Sequence, residues 1–161
     1  VVLPLAACSR RTGAAYAKGT PISTYREELA RLGVTEAAAL GAVTSATGDH
    51  YRDDPTLLRA LRETALPRYR TFVTALETLA PTTDELRAFH GRLLALGREE
   101  LTLLERLARA VAVGDGTAVL FVNLDHARLA REGESLLGQF AALAAPPPLA
   151  PGAAVAKMPT P

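Results

Sequence analysis

The chain of 161 residues has one cysteine, one isoleucine and no tryptophan, and only 5% of its residues are aromatic. The single cysteine, Cys8, excludes an intramolecular disulfide, a zinc site built on paired cysteines and haem attachment through Cys-x-x-Cys-His. The 18 basic residues are balanced by 17 acidic ones. Because this balance leaves no positive field that would attract phosphates, we expect no nucleic-acid partner.

Motifs that carry catalysis are also absent. The sequence has no GxGxxG, no Walker loop, no HExxH and no recognisable nucleophile elbow. None of its eleven glutamates has a histidine three residues later, as a di-iron carboxylate bundle would require. We therefore expect no enzyme, no catalytic residues, no metal ligands and no resident cofactor.

The composition that remains is that of a helical globular domain. Hydrophobic residues make up 48% of the chain and charged residues 22%, and alanine and leucine contribute 31 and 26 residues. These two residues are among the best helix formers, whereas strands prefer β-branched and aromatic side chains. Apolar residues also recur at helical spacing, without period-2 alternation. The sequence predicts an all-α fold.

Helix start and stop signals divide residues 21–145 into about four segments. A capping box of Thr24 and Glu27 predicts a shorter first segment, which Gly33 breaks and Thr35 restarts, to about Ala46. Long helices joined by short loops must run antiparallel, so we expect an up-down bundle whose second helix is kinked at Pro67. The first of the three long helices is predicted to begin at the N-cap Asp54, followed by Pro55, and to end at about Ala80. The next begins at a Thr82–Glu85 capping box and ends at about Val113. The last follows the Gly114-Asp115-Gly116 turn and runs from Thr117 to about Ala145.

The amino terminus carries the strongest functional signal. Its apolar run ends in Leu5-Ala6-Ala7-Cys8, which resembles the lipobox of bacterial lipoproteins. In that family two small residues precede a cysteine whose thiol is alkylated with a diacylglyceryl group. The chain is cut just before this cysteine, and the new amino terminus receives a further acyl chain such as palmitate. The resemblance implies that residues 1–7 end a signal peptide, that Cys8 is lipidated, and that residues 8–20 form a tether. Ser9, rather than aspartate, resembles an outer-membrane sorting signal.

The carboxyl terminus has a different composition from the predicted helices. Residues 146–161 contain six of the eleven prolines. Since proline removes a backbone donor and clashes with the preceding helical turn, this segment is predicted to be a disordered tail.

Three histidines are the remaining candidate ligands. His50 lies in a predicted turn, and His90 and His126 border the apolar stripes of the third and fourth helices. Fourteen residues of offset at 1.5 Å each would separate His90 and His126 by roughly 20 Å along the bundle axis. We expect both imidazoles to be hydrogen-bonded at the margin of the core, the alternative being a cofactor or metal site. Glu99, Glu100 and the acidic run 49–54 are expected to be solvated.

Two glycines are predicted to face each other across the bundle. Gly97 and Gly133 lie 18 residues before and after Asp115, which places them at one level of an antiparallel pair. Glycine inside a helix costs about 1 kcal/mol relative to alanine, so the pair suggests a steric reason. We expect Leu66 or Tyr69 to fill the space, and the rival outcome is a ligand-sized cavity.

Two function classes follow from these observations. The first is a lipid-anchored protein of the bacterial cell envelope, with the outer membrane favoured over the inner, that binds other envelope proteins as an interaction or assembly module. The second is a periplasmic helical bundle that binds a small molecule, haem or a metal ion. Beyond the lipobox, no family resemblance is recognised in residues 21–145.

Overall fold

A computed structural model describes residues 20–48 and 53–143. They form an all-α bundle of four helices, with no strand in these two ranges, as the composition predicts. Helix α1 spans Pro21–Thr47, α3 spans Asp84–Val113 and α4 spans Gly116–Leu143. Helix α2 consists of three consecutive pieces, Asp54–Arg59, Ala60–Ala65 and Leu66–Glu77. The predictions for Cys8, His50, the tether and the proline-rich tail fall outside the described residues.

Helix α1 corrects the sequence-based boundaries. It is one continuous helix of 27 residues, and Gly33 does not break it. The helix begins earlier than the Thr24–Glu27 box, because the Thr20 side chain accepts a hydrogen bond from the Ser23 backbone N–H. Gly33 is buried in the middle of the helix. Packing of that face onto the core outweighs the intrinsic helix penalty of one glycine.

The irregularity predicted at Pro67 takes the form of a π-helical stretch immediately before the proline. Residues Ala60–Ala65 are π-helical, and the N–H of Leu66 donates to the carbonyl of Leu61, five residues back. Proline cannot supply the next backbone donor, so the regular hydrogen-bond ladder cannot pass through this position. The wider turn keeps Leu61, Ala65 and Tyr69, spaced four residues apart, on the buried side of α2.

The other helix ends lie within a few residues of the predicted positions. The N-caps are Asp53 and Thr83, each one residue away from the predicted cap. The side chain of Asp115 accepts from the N–H of Ala118 at the start of α4. Gly114 ends α3 in the left-handed conformation, with φ of 68°. Only the last α2 boundary moves by a turn, since that helix ends at Glu77.

Side-chain pairs between neighbouring helices follow an antiparallel register. Between α3 and α4, Arg92 pairs with Gln139, Arg106 pairs with Asp125, and Arg128 pairs with Glu99. Between α2 and α3, Arg70 pairs with Glu105 and Arg98 pairs with Glu77. In both sets, residues later in one helix pair with residues earlier in the other, as expected for antiparallel helices. The turn at Asp115 therefore sets the α3–α4 register that the sequence predicts.

Aromatic rings close one end of the core. The rings of Tyr25, Phe89 and Phe140 contact one another, with centroids 4.8 to 6.1 Å apart.

Among the described residues, no helix has the length and apolar character that crossing a membrane would require.

Candidate functional site

Two connected spaces lie inside the bundle. A cavity of about 80 Å³ is formed at mid-height by residues from all four helices, and a groove of about 720 Å³ adjoins it towards the α3–α4 turn. The two spaces share Leu40, Glu100 and His126 in their walls. We call the two together the cleft.

The cleft exists because α4 packs closely on only one neighbour. Helix α4 follows α3 along its length, whereas its backbone approaches α1 at few positions. The residues of α4 that line the cleft include Ala127, Ala130 and Gly133, whose small side chains leave the space unfilled. The α3 residues that line the groove include the apolar Leu104, Leu107 and Val111.

A buried hydrogen-bonded pair, Glu100 and His126, lies where the cavity meets the groove. Nδ1 of His126 lies 3.0 Å from Oε1 of Glu100 and 3.1 Å from Oε2. One N–H on Nδ1 cannot fully satisfy both oxygens, and Oε1 is buried without a hydrogen bond of its own. The side chains of Glu100 and His126 are 11% and 18% exposed. A buried carboxylate oxygen without a donor is costly, so it marks a position where a ligand donor would be stabilising.

Two further polar groups belong to this region. Glu36 of α1 and Tyr69 of α2 are buried and line the cavity together with Glu100. Burial raises the pKa of Tyr69 well above its usual value, and the charges of Glu36 and Glu100 raise it further. The phenol is therefore neutral at physiological pH, and the surroundings carry negative potential.

The two glycines meet at this cavity, as their register predicts. Gly97 and Gly133 both line it, together with Tyr69. A Cβ at Gly97 would touch Phe72, Val73 and Leu76 at 3.7 to 3.9 Å, whereas a Cβ at Gly133 would have nothing within 4 Å. The expected filling by Leu66 or Tyr69 is thus incomplete, because Tyr69 reaches the cavity but does not fill it.

The two histidines have separate hydrogen-bond partners, as the sequence predicts. Nδ1 of His90 lies 2.9 Å from the hydroxyl of Tyr25, and burial lowers the pKa of His90. His126 pairs instead with Glu100, ten residues further along α3 than His90. The expectation that both glutamates of the Glu99–Glu100 pair are solvated is wrong for Glu100. Glu99 reaches outward to Arg128, and Glu100 faces the cleft.

The sequence analysis missed Glu36, Tyr69 and Glu100 as a group. A signal was present, because Glu100 follows Leu93 and Gly97 at the spacing of the buried face of α3. Glu36 likewise follows Leu29 and Gly33 along the buried face of α1. A carboxylate within an apolar stripe is the pattern that would have identified the cleft.

The described residues contain no group of three or more His, Cys, Asp or Glu side chains arranged to hold a metal ion. No family model, curated protein or solved structure matches this chain.

Proposed function

We propose that the helical domain binds a small molecule with an apolar body in the cleft. The observation that carries this proposal is the buried Glu100–His126 pair in the wall shared by the cavity and the groove. Ligand sites typically measure about 300–1,000 Å³ and combine mostly apolar walls with a few convergent polar groups. The groove has this size, and Leu104, Leu107 and Val111 supply the apolar wall.

Replacement of Gly133 by leucine tests this proposal. The new side chain would extend into the cavity, because nothing lies within 4 Å of the position of its Cβ. Leucine is a better helix former than glycine by roughly 0.8–1 kcal/mol, so we expect the variant to be at least as stable as the parent. Binding of a fluorescent apolar probe, N-phenyl-1-naphthylamine, is expected to fall by about tenfold or more.

Gly138 provides the matched control on the same helix. It is exposed, and a Cβ there would also have nothing within 4 Å, but it does not line the cleft. Gly138→Leu should gain the same helix propensity and keep the parent's probe affinity. Equal probe binding by the parent and both variants would contradict the proposed binding site.

We also propose that the domain is held at the bacterial cell envelope by a lipid on Cys8, with the outer membrane as the favoured location. The support is the Leu5-Ala6-Ala7-Cys8 sequence, which resembles a lipobox. Three acyl chains would anchor the protein stably, since each buried methylene contributes about 0.8 kcal/mol.

Substitution of Cys8 by serine tests the anchor. Without the thiol no diacylglyceryl group can be attached, so the variant should leave the membrane fraction or persist as an uncleaved precursor. Mass spectrometry of the amino terminus would check the lipid on the parent. Normal cleavage, acylation and membrane fractionation of the serine variant would contradict the proposal.

A protein-interaction module is the second candidate function. Leu120, Phe121 and Leu124 of α4 are each between 56% and 58% exposed, which is unusual for three large apolar residues so close together. These residues do not line the cleft. Filling the cleft with Gly133→Leu should therefore leave a partner protein at this surface bound, which separates the two functions.

A further inference from the structure

We propose that the ligand is an amphiphilic amine, whose protonated nitrogen lies beside Glu100 and Glu36 and whose apolar body extends along the groove. This inference rests on the proposed function, since it names the chemical class that the cleft would take.

The charge of the cleft favours a cation. Three carboxylate side chains line the cleft, Glu36 and Glu100 in the cavity and Asp54 in the groove, and His126, which pairs with Glu100, is the one basic side chain among the described residues that line either space. Glu99, beside Glu100 in the sequence, pairs with Arg128 and does not line the cleft. An anionic ligand would bring a further carboxylate-like charge into an apolar enclosure, which is strongly unfavourable.

The hydrogen bonding of Glu100 favours a donor rather than any cation. Its Oε2 is paired with His126, and its Oε1 is buried with no hydrogen bond. An ammonium group carries three N–H donors and no acceptor, so it could satisfy this oxygen and still reach a second carboxylate. Charge-assisted hydrogen bonds of this type are about twice as strong as neutral ones.

Tyr69 reports the same electrostatic environment. Its side chain is 3% exposed and lines the cavity between α1 and α3. Besides burial, the charges of Glu36 and Glu100 raise the pKa of Tyr69. Both carboxylates therefore act on one point of the cavity, and a positive charge placed there would interact favourably with each of them.

The shape of the cleft favours an extended apolar body. The cavity near the carboxylates is small, whereas the adjoining groove has a volume of about 720 Å³. The groove is lined by the apolar side chains of Val43, Leu104, Leu107 and Val111, and also by the polar side chains of Thr44, Thr47, Asp54 and Asn123. The four apolar side chains are the surface that an alkyl chain would contact. An alkyl chain attached to an ammonium group would place its two ends in matching surroundings.

Calorimetric titration of the full chain with decylammonium, decanol and decanoate tests the inference, with the two ionic probes kept below their micelle concentrations and decanol below its solubility limit. The three probes share one alkyl chain and differ in the charge of the head group. We expect decylammonium to bind about ten- to a hundredfold more tightly than decanol, because decanol cannot form a hydrogen bond between two charged groups. Decanoate should bind more weakly than either, because its carboxylate would be repelled by the carboxylates of the cleft.

Glu100→Gln is expected to lower decylammonium affinity by about tenfold or more and to leave decanol affinity unchanged. Glu99→Gln is the matched control, because Glu99 is the adjacent residue, half exposed and turned towards Arg128. Glu36→Gln provides a second test if the Glu100 variant unfolds at a lower temperature than the parent.

The outcomes separate the two proposals. The amine inference is overturned, and the cleft remains a binding site, if decanol and decanoate bind as tightly as decylammonium and if the parent and Glu100→Gln have the same decylammonium affinity. If none of the three binds, or if Gly133→Leu binds decylammonium as the parent does, both the inference and the proposed site are overturned.

Discussion

Replacement of Phe72 by alanine is expected to lower the free energy of unfolding by about 3–5 kcal/mol, the usual cost of removing a fully buried aromatic ring. Phe72 is 1% exposed, and its ring packs against Tyr69 with centroids 5.3 Å apart. It also approaches Gly97, whose missing side chain leaves room for it. Phe72 already lines the small cavity, so removing its ring would enlarge that cavity. The close-packed neighbouring side chains could not move far enough to fill the larger space. Urea denaturation of both proteins measures the difference.

Phe121→Ala supplies the matched control, because it removes the same ring from a position that is 56% exposed. Surface substitutions of this kind usually change stability by about 0.5 kcal/mol or less. A similar loss for both variants would mean that Phe72 is not a core residue. An unchanged slope of the urea transition would show that the two variants unfold from comparable native states.

The sequence predicted the fold class because alanine, leucine and their helical spacing act along the whole chain. Gly114 and the Asp115 cap gave the α3–α4 turn, and counting outward from it placed Gly97 opposite Gly133. Such a count succeeds because the rise per residue of a helix is constant. The ion pairs between α3 and α4, Arg106 with Asp125 and Arg128 with Glu99, follow the same register.

The sequence failed where tertiary packing overrode a local preference. Gly33 was expected to end a helix, but its buried position inside α1 keeps the helix continuous. At Pro67 the predicted irregularity is present, and it takes the form of a π-helical stretch from Ala60 to Ala65, immediately before the proline. Local propensities are worth about 1 kcal/mol per residue for glycine, which the burial of a helix face readily exceeds.

The sequence predicted the place of the cavity but not the polar residues that line it. The glycine pair indicated a place where two helices lack side chains, and a cavity was one of the two outcomes considered. Glu99 and Glu100 were treated together as solvated, although consecutive helix residues point about 100° apart. The position of each glutamate within an apolar stripe could be read from its own helix, but the convergence of Glu36, Tyr69 and Glu100 depends on how three helices pack.

Replacement of His126 by leucine is expected to lower the free energy of unfolding by about 3–5 kcal/mol, since breaking a buried pair leaves an uncompensated charge. His126 is the only hydrogen-bond partner that the described residues give to the carboxylate of Glu100. Both side chains are largely buried, so water could replace the imidazole only by entering the cleft. Thermal and urea unfolding near neutral pH measure the loss.

A double-mutant cycle shows whether the pair itself is the cause. Glu100→Leu combined with His126→Leu removes both partners and replaces them with apolar side chains, an exchange that is often neutral or stabilising in a protein interior. The double variant should therefore recover most of the stability that His126→Leu loses. It should also lose the preference for decylammonium, since the carboxylate proposed to bind the amine is gone. Additive losses in the double variant would contradict the coupling, and would mean that the histidine acts through its packing on α3 rather than through Glu100.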